Sequence, residues 1–451
     1  MPTLMVSISG IRGIVGDGLD PETIVKYTNA FANFVGQGKI VVGRDARKTG
    51  EMVLNIVTGT LLAKGFDVID LGICPTPTVQ FNVTKLNADG GIVITASHNP
   101  NEWNALKLLN GTGQFMSPEE HKKMISKMSG NKSDFVNWEK IGKRTLYNEG
   151  IQNHLNSILQ LKYIDVDLIK SKKFKVVLDC VNGAGSYLLP GFLKELGCDV
   201  IEMNCEKSGI FPRLPEPIPE NITETMKKVK DVNADLGIVV DPDVDRLVLI
   251  TDRGEPFIEE NTITQIVKFI LSKEKGNVVV NLSTTRAVDD VAEEFGCQVY
   301  RSPVGEANVV EEMKKVNAII GGEGSGGVIY PALHYGRDAL VGIVLTLQHL
   351  SEFGKSISKL KNELPQYFIT KKKTEIGKNN PDQVISKLLE KYKSEKSDIR
   401  DGLRIDFADH WVHFRKSNTE PIIRIITEAI SEEASKKLAD DYYKIVKELL
   451  V

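Results

Sequence analysis

The stretch GIVITASHNPNEWNALK, residues 91–107, decides the fold of this chain. Its apolar β-branched run at 92–94 predicts a buried strand that ends in a short polar turn. Because ligands in open α/β sheets bind beyond the carboxyl ends of strands, we expect Ser97 to face a ligand there. A serine hydroxyl beside His98, with Lys107 ten residues further on, is a candidate nucleophile. A plain turn that caps a helix is the alternative, since Ser, Asn and Pro all favour turns.

Apolar strands alternate with amphipathic segments through the first 150 residues. This alternation predicts βαβ units and a parallel sheet. We expect strands at residues 40–42, 68–71 and 91–94 and helices at 21–36 and 51–64. A solvated helix and loop are expected at residues 116–133, and a helix connecting to the next section at 148–161.

The same pattern restarts twice further along the chain. A strand runs into a Gly-rich loop at 175–186, and a strand, an acidic loop and a second strand occupy 236–250. Comparable segments follow at 277–286 and 318–327. From about residue 366 the pattern changes to charged stretches, at 371–373 and 391–396, followed by predicted strands at 403–407, 411–414 and 422–427 and a helix at about 432–450. The sequence therefore predicts an α/β protein with three related α/β domains (1–150, 151–253 and 254–365) and a smaller C-terminal α+β domain (366–451).

Composition excludes several classes of protein. The 451 residues carry a net charge of −3, with 41% hydrophobic and 26% charged residues, which is typical of a globular protein and gives no broad positive field for nucleic acid or anionic membrane. The five cysteines are scattered and form no CxxC pair, so a disulfide framework or zinc site of cysteines is not expected. No run of 18 apolar residues occurs. We therefore expect a cytoplasmic protein with neither nucleic-acid nor membrane partners.

The segment DPDVDR, residues 241–246, places three carboxylates at alternate positions just after an apolar strand. Their mutual repulsion calls for a cation, and ligation by oxygen alone selects a hard ion such as Mg²⁺. A calcium loop of the EF-hand type would require Gly in place of Arg246 and Glu in place of Asp252. A solvated acidic turn is the plain alternative, because Asp is common in turns.

Two further loops carry groups that suit a sugar phosphate. In GGEGSGG, residues 321–327, glycines let the backbone approach a ligand while Glu323 can accept hydrogen bonds from neighbouring hydroxyls. In RKSNTEPIIR, residues 415–424, two arginines and short polar side chains can form a phosphate clamp. Ordinary turns are the alternative for both. The loops SGIRG (9–13) and GRDARKTG (43–50) add further basic residues, for which salt bridges at the surface are the alternative. Jointly, the turn with Ser97, the loop with the three aspartates, the GGEGSGG loop and the RKSNTEPIIR loop indicate phosphoryl transfer to or from a sugar phosphate.

The sequence resembles the α-D-phosphohexomutase family, which includes phosphoglucomutases, phosphomannomutases and phosphoglucosamine mutases. TASHNP, DPDVDR, GEGSGG and RKSNTEP occur in the family's order and at similar spacing, and so the resemblance spans the whole chain. It implies a fold of three related α/β domains and a smaller C-terminal domain around one central cleft. It also implies a small sugar phosphate as partner and a monomer or homodimer.

The resemblance assigns roles to residues that match the motifs. It implies that Ser97 is phosphorylated and contributes, with the three aspartates of the second loop, to a Mg²⁺ site. The implied sugar contacts are Glu323 and Ser325. The remaining residues implied by the match are the metal ligands Asp241, Asp243 and Asp245, the candidate acids, bases and charge stabilisers Lys107, Arg12, His98 and Arg246, and the phosphate contacts Arg415, Ser417, Asn418, Thr419 and Arg424.

Three positions depart from the usual family pattern. The N-terminal segment reads VSISGIRG, which keeps Arg12, and Ala105 stands where Gly is common. Glu306 stands where several phosphoglucomutase/phosphomannomutase members carry a basic sugar contact, which argues against dual glucose and mannose specificity. Among the subgroups, the sequence is nearest to the archaeal-type phosphoglucosamine mutases. A phosphatase of the haloacid dehalogenase type, with Asp241 as nucleophile, and a catalytically silent sugar-phosphate-binding protein are the alternatives.

Overall fold

The computed structural model describes residues 3–128, 135–377, 379–416 and 422–450. The first section forms one eight-stranded sheet with the path β1-β2-β7-β6-β4-β5-β8, and β3 pairs with β2. Its strands are β1 (Met5–Ser7), β2 (Gly10–Val15), β3 (Gly18–Leu19), β4 (Lys39–Arg44), β5 (Asp67–Ile73), β6 (Gly90–Ile94), β7 (Trp103–Asn110) and β8 (Arg144–Leu146). Its helices are α1 (Pro21–Val35), α2 (Gly50–Ala63), α3 (Thr76–Lys85) and α4 (Pro118–Ser126).

Strand β6 is apolar throughout because both of its faces are covered. Ile92 and Ile94 belong to the core on one side of the sheet, and Val93 belongs to a second core on the other side. A strand buried on both faces reads as a continuous apolar run, which is why the quoted stretch could be recognised. The helix starts also follow from local chemistry, since Asp20 caps α1 by accepting from the backbone of Thr23.

The second and third sections repeat one smaller sheet. The second has the order β10-β9-β11-β12 and the third the order β14-β13-β15-β16. The second section comprises α5 (Gly150–Leu159), α6 (Val166–Lys172), β9 (Lys175–Asp179), α7 (Leu189–Glu195), β10 (Asp199–Met203), α8 (Thr223–Asp231), β11 (Leu236–Val240) and β12 (Leu247–Ile250). The third comprises α9 (Glu259–Lys273), β13 (Asn277–Asn281), α10 (Ala287–Glu294), β14 (Val299–Ser302), α11 (Glu306–Lys315), β15 (Ala318–Glu323), β16 (Gly327–Ile329), α12 (Ala339–Phe353) and α13 (Ile357–Asn362).

The three sections share a topology. In each, three parallel strands are followed by one antiparallel strand at the edge of the group: β5-β4-β6 then β7, β10-β9-β11 then β12, and β14-β13-β15 then β16. The loop between the third parallel strand and the antiparallel strand is therefore the same structural position in all three. This recurrence confirms the predicted relation between the α/β domains.

The last section forms an antiparallel five-stranded sheet in the order β17-β21-β20-β19-β18. Its elements are β17 (Phe368–Glu375), α14 (Pro381–Lys391), β18 (Lys396–Asp398), β19 (Leu403–Asp406), β20 (His410–Lys416), β21 (Ile422–Ala429) and α15 (Glu432–Leu449). The predicted fold class is confirmed: three related α/β domains are followed by a smaller α+β domain. The residue-level boundaries between the domains stay predictions.

Some local expectations change. The lysine-rich residues 371–373 lie in the edge strand β17, where charged side chains are common. The helix expected to be solvated at 116–133 is amphipathic, since α4 buries Met124, while residues 129–133 lie outside the described part of the chain. Strand β7, which carries Lys107, was not predicted because polar residues interrupt its apolar pattern. In the described part of the chain, none of the helices combines the length and apolar composition that a membrane crossing requires.

Candidate active site

Three of the motif loops occupy the equivalent position in the three related domains. The β6–β7 loop contains Ser97, the β11–β12 loop contains the three aspartates, and the β15–β16 loop contains Ser325. Because the polar contacts below join these loops across domains, the three converge on one site. The convergence follows from the shared topology, which places each loop at the carboxyl end of a buried strand.

Ser97 sits just past the end of β6 and is 4% exposed. Its backbone N–H donates to Thr95 Oγ1 at 2.9 Å, and its φ of 49° lies in the left-handed region, which is uncommon for a residue with a side chain. The Ser97 hydroxyl donates to Asp241 Oδ2 at 2.9 Å, and its oxygen lies 3.3 Å from Nδ1 of His98. The turn therefore aims the candidate nucleophile at the acidic loop of the second domain.

Arg47 stabilises the backbone of the Ser97 turn. It is 1% exposed and donates to the carbonyl oxygens of Ser97 (2.6 Å), Asn99 (2.7 Å) and Pro100 (2.5 Å). Its Nε also donates to Asp45 Oδ2 at 2.9 Å. The alternative for the GRDARKTG loop, a salt bridge at the surface, is therefore wrong for Arg47. This arginine is buried and stabilises the serine turn through hydrogen bonds to its backbone.

The three aspartates Asp241, Asp243 and Asp245 are fully buried, and one carboxylate oxygen of each lies within 4.8 Å of the others. Within the described residues, Asp243 Oδ1 and Asp245 Oδ1 have no hydrogen-bond partner. Val244 between them adopts a φ of 61°, a strained conformation for a β-branched residue that functional loops often contain. Buried, unpaired carboxylate oxygens in this arrangement fit a divalent cation with oxygen ligands.

Two cations compensate part of this negative charge. Lys107 Nζ lies 2.7 Å from Asp243 Oδ2 and 3.4 Å from Asp245 Oδ2, and Arg337 Nη2 lies 2.7 Å from the same atom of Asp245. Burial, followed by the charges of the other two aspartates, raises the pKa of Asp241 well above its usual value. Burial also opposes ionisation of Asp243, but Lys107 lowers the pKa of Asp243 below the usual value.

The third domain contributes a carboxylate pair joined by Arg337. Glu323 accepts from Asn281 Nδ2, from the backbone of Gly305 and from Arg337 Nη1, each at 2.8 Å. Glu306 accepts from Arg337 Nε at 3.1 Å and, at 2.8 Å, from the side-chain amide of Gln80 in the first domain. Glu323 was expected to contact hydroxyls, whereas in this structure its oxygens already accept protein hydrogen bonds. Ser325 is half-buried at the tip of the same loop.

Arg337 has no role among the sequence-based predictions. Its guanidinium contacts the carboxylates of Asp245, Glu306 and Glu323. Burial alone would lower the pKa of Arg337, but the negative charges around it outweigh burial and raise the pKa well above the usual value. The residue lies in the segment HYGRD, which is the loop before α12. Asp338 caps α12, so the local sequence indicates a helix start and not a site residue.

The remaining predicted catalytic residues border the serine turn. Arg12 donates to Asn99 Oδ1 at 3.3 Å and to the carbonyl oxygen of Ser9 at 3.1 Å. Arg246 lies 3.9 Å from Asp245 Oδ1. The positive charge of Arg246, followed by burial, lowers the pKa of His98 well below its usual value, so that its imidazole is neutral near pH 7.

The fourth domain places basic residues in a row. Arg415 on β20 is directly opposite Arg424 on β21, which is in turn opposite Lys373 on β17, so all three project from one face of the sheet. The Nε of Arg415 donates to Asp401 Oδ2 at 2.9 Å. Three adjacent cations favour a bound anion. The predicted phosphate contacts Ser417, Asn418 and Thr419 lie outside the described residues.

Comparisons with known proteins agree with this architecture. Phosphoglucomutase/phosphomannomutase models match in order: alpha/beta/alpha domains I, II and III at residues 5–134, 152–254 and 260–368, and the C-terminal domain at 373–445. A phosphoglucomutase/phosphomannomutase of Thermococcus kodakarensis is 38% identical, with 98% of each chain covered. A probable phosphoglucosamine mutase of Methanopyrus kandleri is 35% identical, with 97% of each covered. The crystal structure of a phosphoglucomutase/phosphomannomutase family protein of Burkholderia thailandensis is 26% identical, with a TM-score of 0.85 and 98% of each chain covered.

The fold and the relatives together define an enzyme of the phosphohexomutase class, an isomerase that acts by phosphoryl transfer. The chain belongs to the phosphoglucomutase/phosphomannomutase family. The resemblance seen in the four sequence motifs is thereby confirmed.

Proposed function

We propose that this enzyme interconverts hexose 1-phosphate and hexose 6-phosphate through a phosphorylated Ser97 and a bisphosphorylated sugar. The observation that carries the proposal is the Ser97 hydroxyl, buried and 2.9 Å from Asp241 Oδ2 in the aspartate cluster. A nucleophile held against a cation-binding group, in a place that excludes water, suits phosphoryl transfer rather than hydrolysis.

The reaction takes two transfers. In the first, the phosphorus–oxygen bond to Ser97 breaks as a bond forms to the free sugar hydroxyl, whose proton passes to a base while Ser97 Oγ receives a proton. In the second, the Ser97 hydroxyl gives up its proton to a base as its oxygen bonds to the other phosphorus of the bisphosphate; the sugar oxygen–phosphorus bond breaks and the departing sugar oxygen receives a proton. The neutral imidazole of His98 suits the accepting role and the ammonium of Lys107 the donating role, with Arg12 and Arg246 stabilising charge.

The aspartate cluster suits Mg²⁺. Asp241, Asp243 and Asp245, together with the phosphorylated Ser97, would hold the ion, because two of the buried carboxylate oxygens lack a hydrogen-bond partner among the described residues. Bound there, Mg²⁺ would offset the charge of the phosphoryl group, which is about −1.5 to −2 on a phosphoserine. Lys107 and Arg337 would compensate the remaining negative charge of the carboxylates.

The third and fourth domains would position the sugar. Glu323 and Ser325 are our candidates for hydroxyl contacts, and Arg415 and Arg424, with Ser417, Asn418 and Thr419, for the phosphate that is not reacting. We take glucosamine phosphate as the preferred substrate. Buried carboxylates suit an amino sugar, and Glu306 stands where a basic sugar contact is common in phosphoglucomutase/phosphomannomutase members. The alternative is mannose and glucose phosphate, in keeping with the name of the Thermococcus kodakarensis relative.

Turnover and labelling test this proposal. Mutase rates would be measured in both directions with the 1- and 6-phosphates of glucosamine, mannose and glucose, and we expect the highest kcat/KM for glucosamine. Isotope-labelled phosphate from substrate should be recovered on Ser97 in a peptide digest. A hydroxylamine-labile acyl phosphate on Asp241 would instead establish a phosphatase-type mechanism. The absence of turnover with every sugar phosphate would indicate a catalytically silent sugar-phosphate-binding protein.

A further inference from the structure

A second group of metal-ligating side chains lies apart from the aspartate cluster. His154 on α5, His334 in the loop before α12, and Asp338 at the N-cap of α12 bring one ligand atom each within 4.8 Å of one another. Asp338 Oδ2 is 3.0 Å from His154 Nε2 and 3.2 Å from His334 Nε2. The side chain of Asp338 is 1% exposed, that of His154 is 0% exposed and that of His334 is 7% exposed. The three groups therefore face each other in the interior.

Asp338 is hydrogen-bonded to His334 Nε2 at 3.2 Å but has no Lys or Arg as ion-pair partner among the described residues. Its ion pairs within that part of the chain are to the two histidines. The neighbouring Arg337 directs its guanidinium to Asp245, Glu306 and Glu323 instead. A buried carboxylate without a cation is costly, so a positive charge is expected at this place, either from a metal ion or from a protonated histidine.

The surroundings orient each ligand as around an ion. Asp338 Oδ1 accepts from the backbone N–H of Leu340 at 2.8 Å and of Val341 at 3.4 Å, which leaves Oδ2 to face the histidines. His154 Nδ1 lies 3.1 Å from Thr78 Oγ1, the kind of outer contact that fixes a ligating imidazole.

The fully buried Nε2 of His154 has no hydrogen-bond partner in the described residues, despite lying 3.0 Å from Asp338 Oδ2. Two ligands of one ion likewise lie close together without a hydrogen bond between them.

We propose that His154, His334 and Asp338 bind a divalent transition-metal ion, with Zn²⁺ as the best match. Two imidazole nitrogens and one carboxylate oxygen form a typical zinc donor set, to which water can add a fourth ligand. Ligands at about 2.0–2.1 Å from a tetrahedral ion lie roughly 3.3 Å apart. The separations of 3.0 and 3.2 Å found here are close to that distance.

The ion would join parts of the chain that are distant in sequence. Thr78 belongs to α3 of the first domain, His154 to the helix that enters the second, and Asp338 to the third. Asp338 is also adjacent to Arg337, which contacts the aspartate cluster and the two glutamates. A metal at this junction fixes the backbone that carries Arg337, and its role is structural, independent of the sugar on which the enzyme acts.

Zinc counting on the full-length protein tests the proposal. The chain would be stripped with chelator, loaded with Zn²⁺, desalted and measured by inductively coupled plasma mass spectrometry. Because the aspartate cluster can also take zinc, the key comparison is made in an Asp243→Asn background. We expect about one zinc per chain in that background and none after His334→Gln is added, while His121→Gln, a change to a histidine outside the group, retains the zinc.

A Co²⁺-loaded sample gives a second readout. The Asp243→Asn chain should show the visible absorption of tetrahedral cobalt, and His334→Gln or Asp338→Asn should remove it. Equal zinc content with and without His334→Gln would overturn the proposal. If the double variants fail to fold, the Asp243→Asn chain alone decides, because a chain that retains no zinc would also overturn it.

Discussion

The hydroxyl of Ser97 donates to Oδ2 of Asp241 at 2.9 Å although the two residues are 144 positions apart in the chain. One belongs to the first domain and the other to the second. The proposed nucleophile and the proposed metal site are therefore assembled by the docking of domains, and neither loop completes the site alone.

Ser97→Ala should abolish mutase activity and leave the fold intact, because the hydroxyl makes no contact on which the core depends. Intact-mass analysis should find one phosphate on the active wild-type protein and none on the variant. Ser325→Ala, which removes a half-buried hydroxyl of the third loop, is the matched control and should keep its phosphate. Full activity in Ser97→Ala would exclude the phosphoserine mechanism.

Replacing Lys107 with Met should lower kcat while tightening Mg²⁺ binding. The ammonium lies 2.7 Å from Asp243 Oδ2 and competes with the ion for the carboxylates, and loss of a proton donor typically costs about 10²- to 10⁴-fold. Calorimetric titration with Mg²⁺ and steady-state kinetics measure the two effects. The exposed Lys123→Met should change neither. Weaker Mg²⁺ binding in Lys107→Met would contradict the proposed competition.

Arg47→Lys should reduce kcat and destabilise the protein. A lysine keeps the charge beside Asp45 but cannot donate simultaneously to the three carbonyl oxygens of the serine turn. Breaking a buried charged network typically costs about 3–5 kcal/mol when a partner is lost, and Lys should forfeit part of that. Thermal unfolding and kinetics check this, with the exposed neighbour Lys48→Met as control. An unchanged melting temperature would show that the hydrogen bonds of Arg47 to the serine turn do not stabilise the protein.

Arg415→Ala should lower kcat/KM by about 10- to 150-fold, since a charge-assisted hydrogen bond contributes roughly 1.5–3 kcal/mol. A clamp on the non-reacting phosphate serves both orientations of the sugar, so the loss should be similar for 1- and 6-phosphates. Arg400→Ala is the control, because Arg400 is exposed and pairs with Asp398. A loss confined to one direction, with the reverse kcat/KM untouched, would make Arg415 the wrong assignment.

Glu260→Gln should alter how stability depends on pH. Burial, only partly offset by Lys371, raises the pKa of Glu260 to about 7 from the usual 4.5. Because the folded state holds this proton more tightly, the stabilisation is complete below about pH 4.5 and is lost as pH rises through 7.

The melting temperature of the wild type should therefore fall more steeply between pH 5 and pH 8 than that of Glu260→Gln, whereas the exposed Glu255→Gln should follow the wild type. Parallel curves for the wild type and Glu260→Gln would show that Glu260 is ionised throughout this range.

Much of the fold was predictable because its signals are local. The buried run at Ile92 to Ile94 and the loops after the strands can be read from a few consecutive residues. The role of Arg337 could not, since its partner Asp245 is 92 positions away and only tertiary docking brings them together. Arg47 likewise resembles a surface arginine until the serine turn covers it. Long-range charge pairs leave no periodic pattern in the sequence.

The cross-domain pairing also determines when activity appears during synthesis. The first domain can fold as its residues leave the ribosome, yet Ser97 has no acidic partner until the second domain follows and Arg337 is absent until the third is made. In refolding experiments, secondary structure should therefore recover before turnover does, and enzymatic rate becomes a reporter of the last docking event rather than of chain collapse.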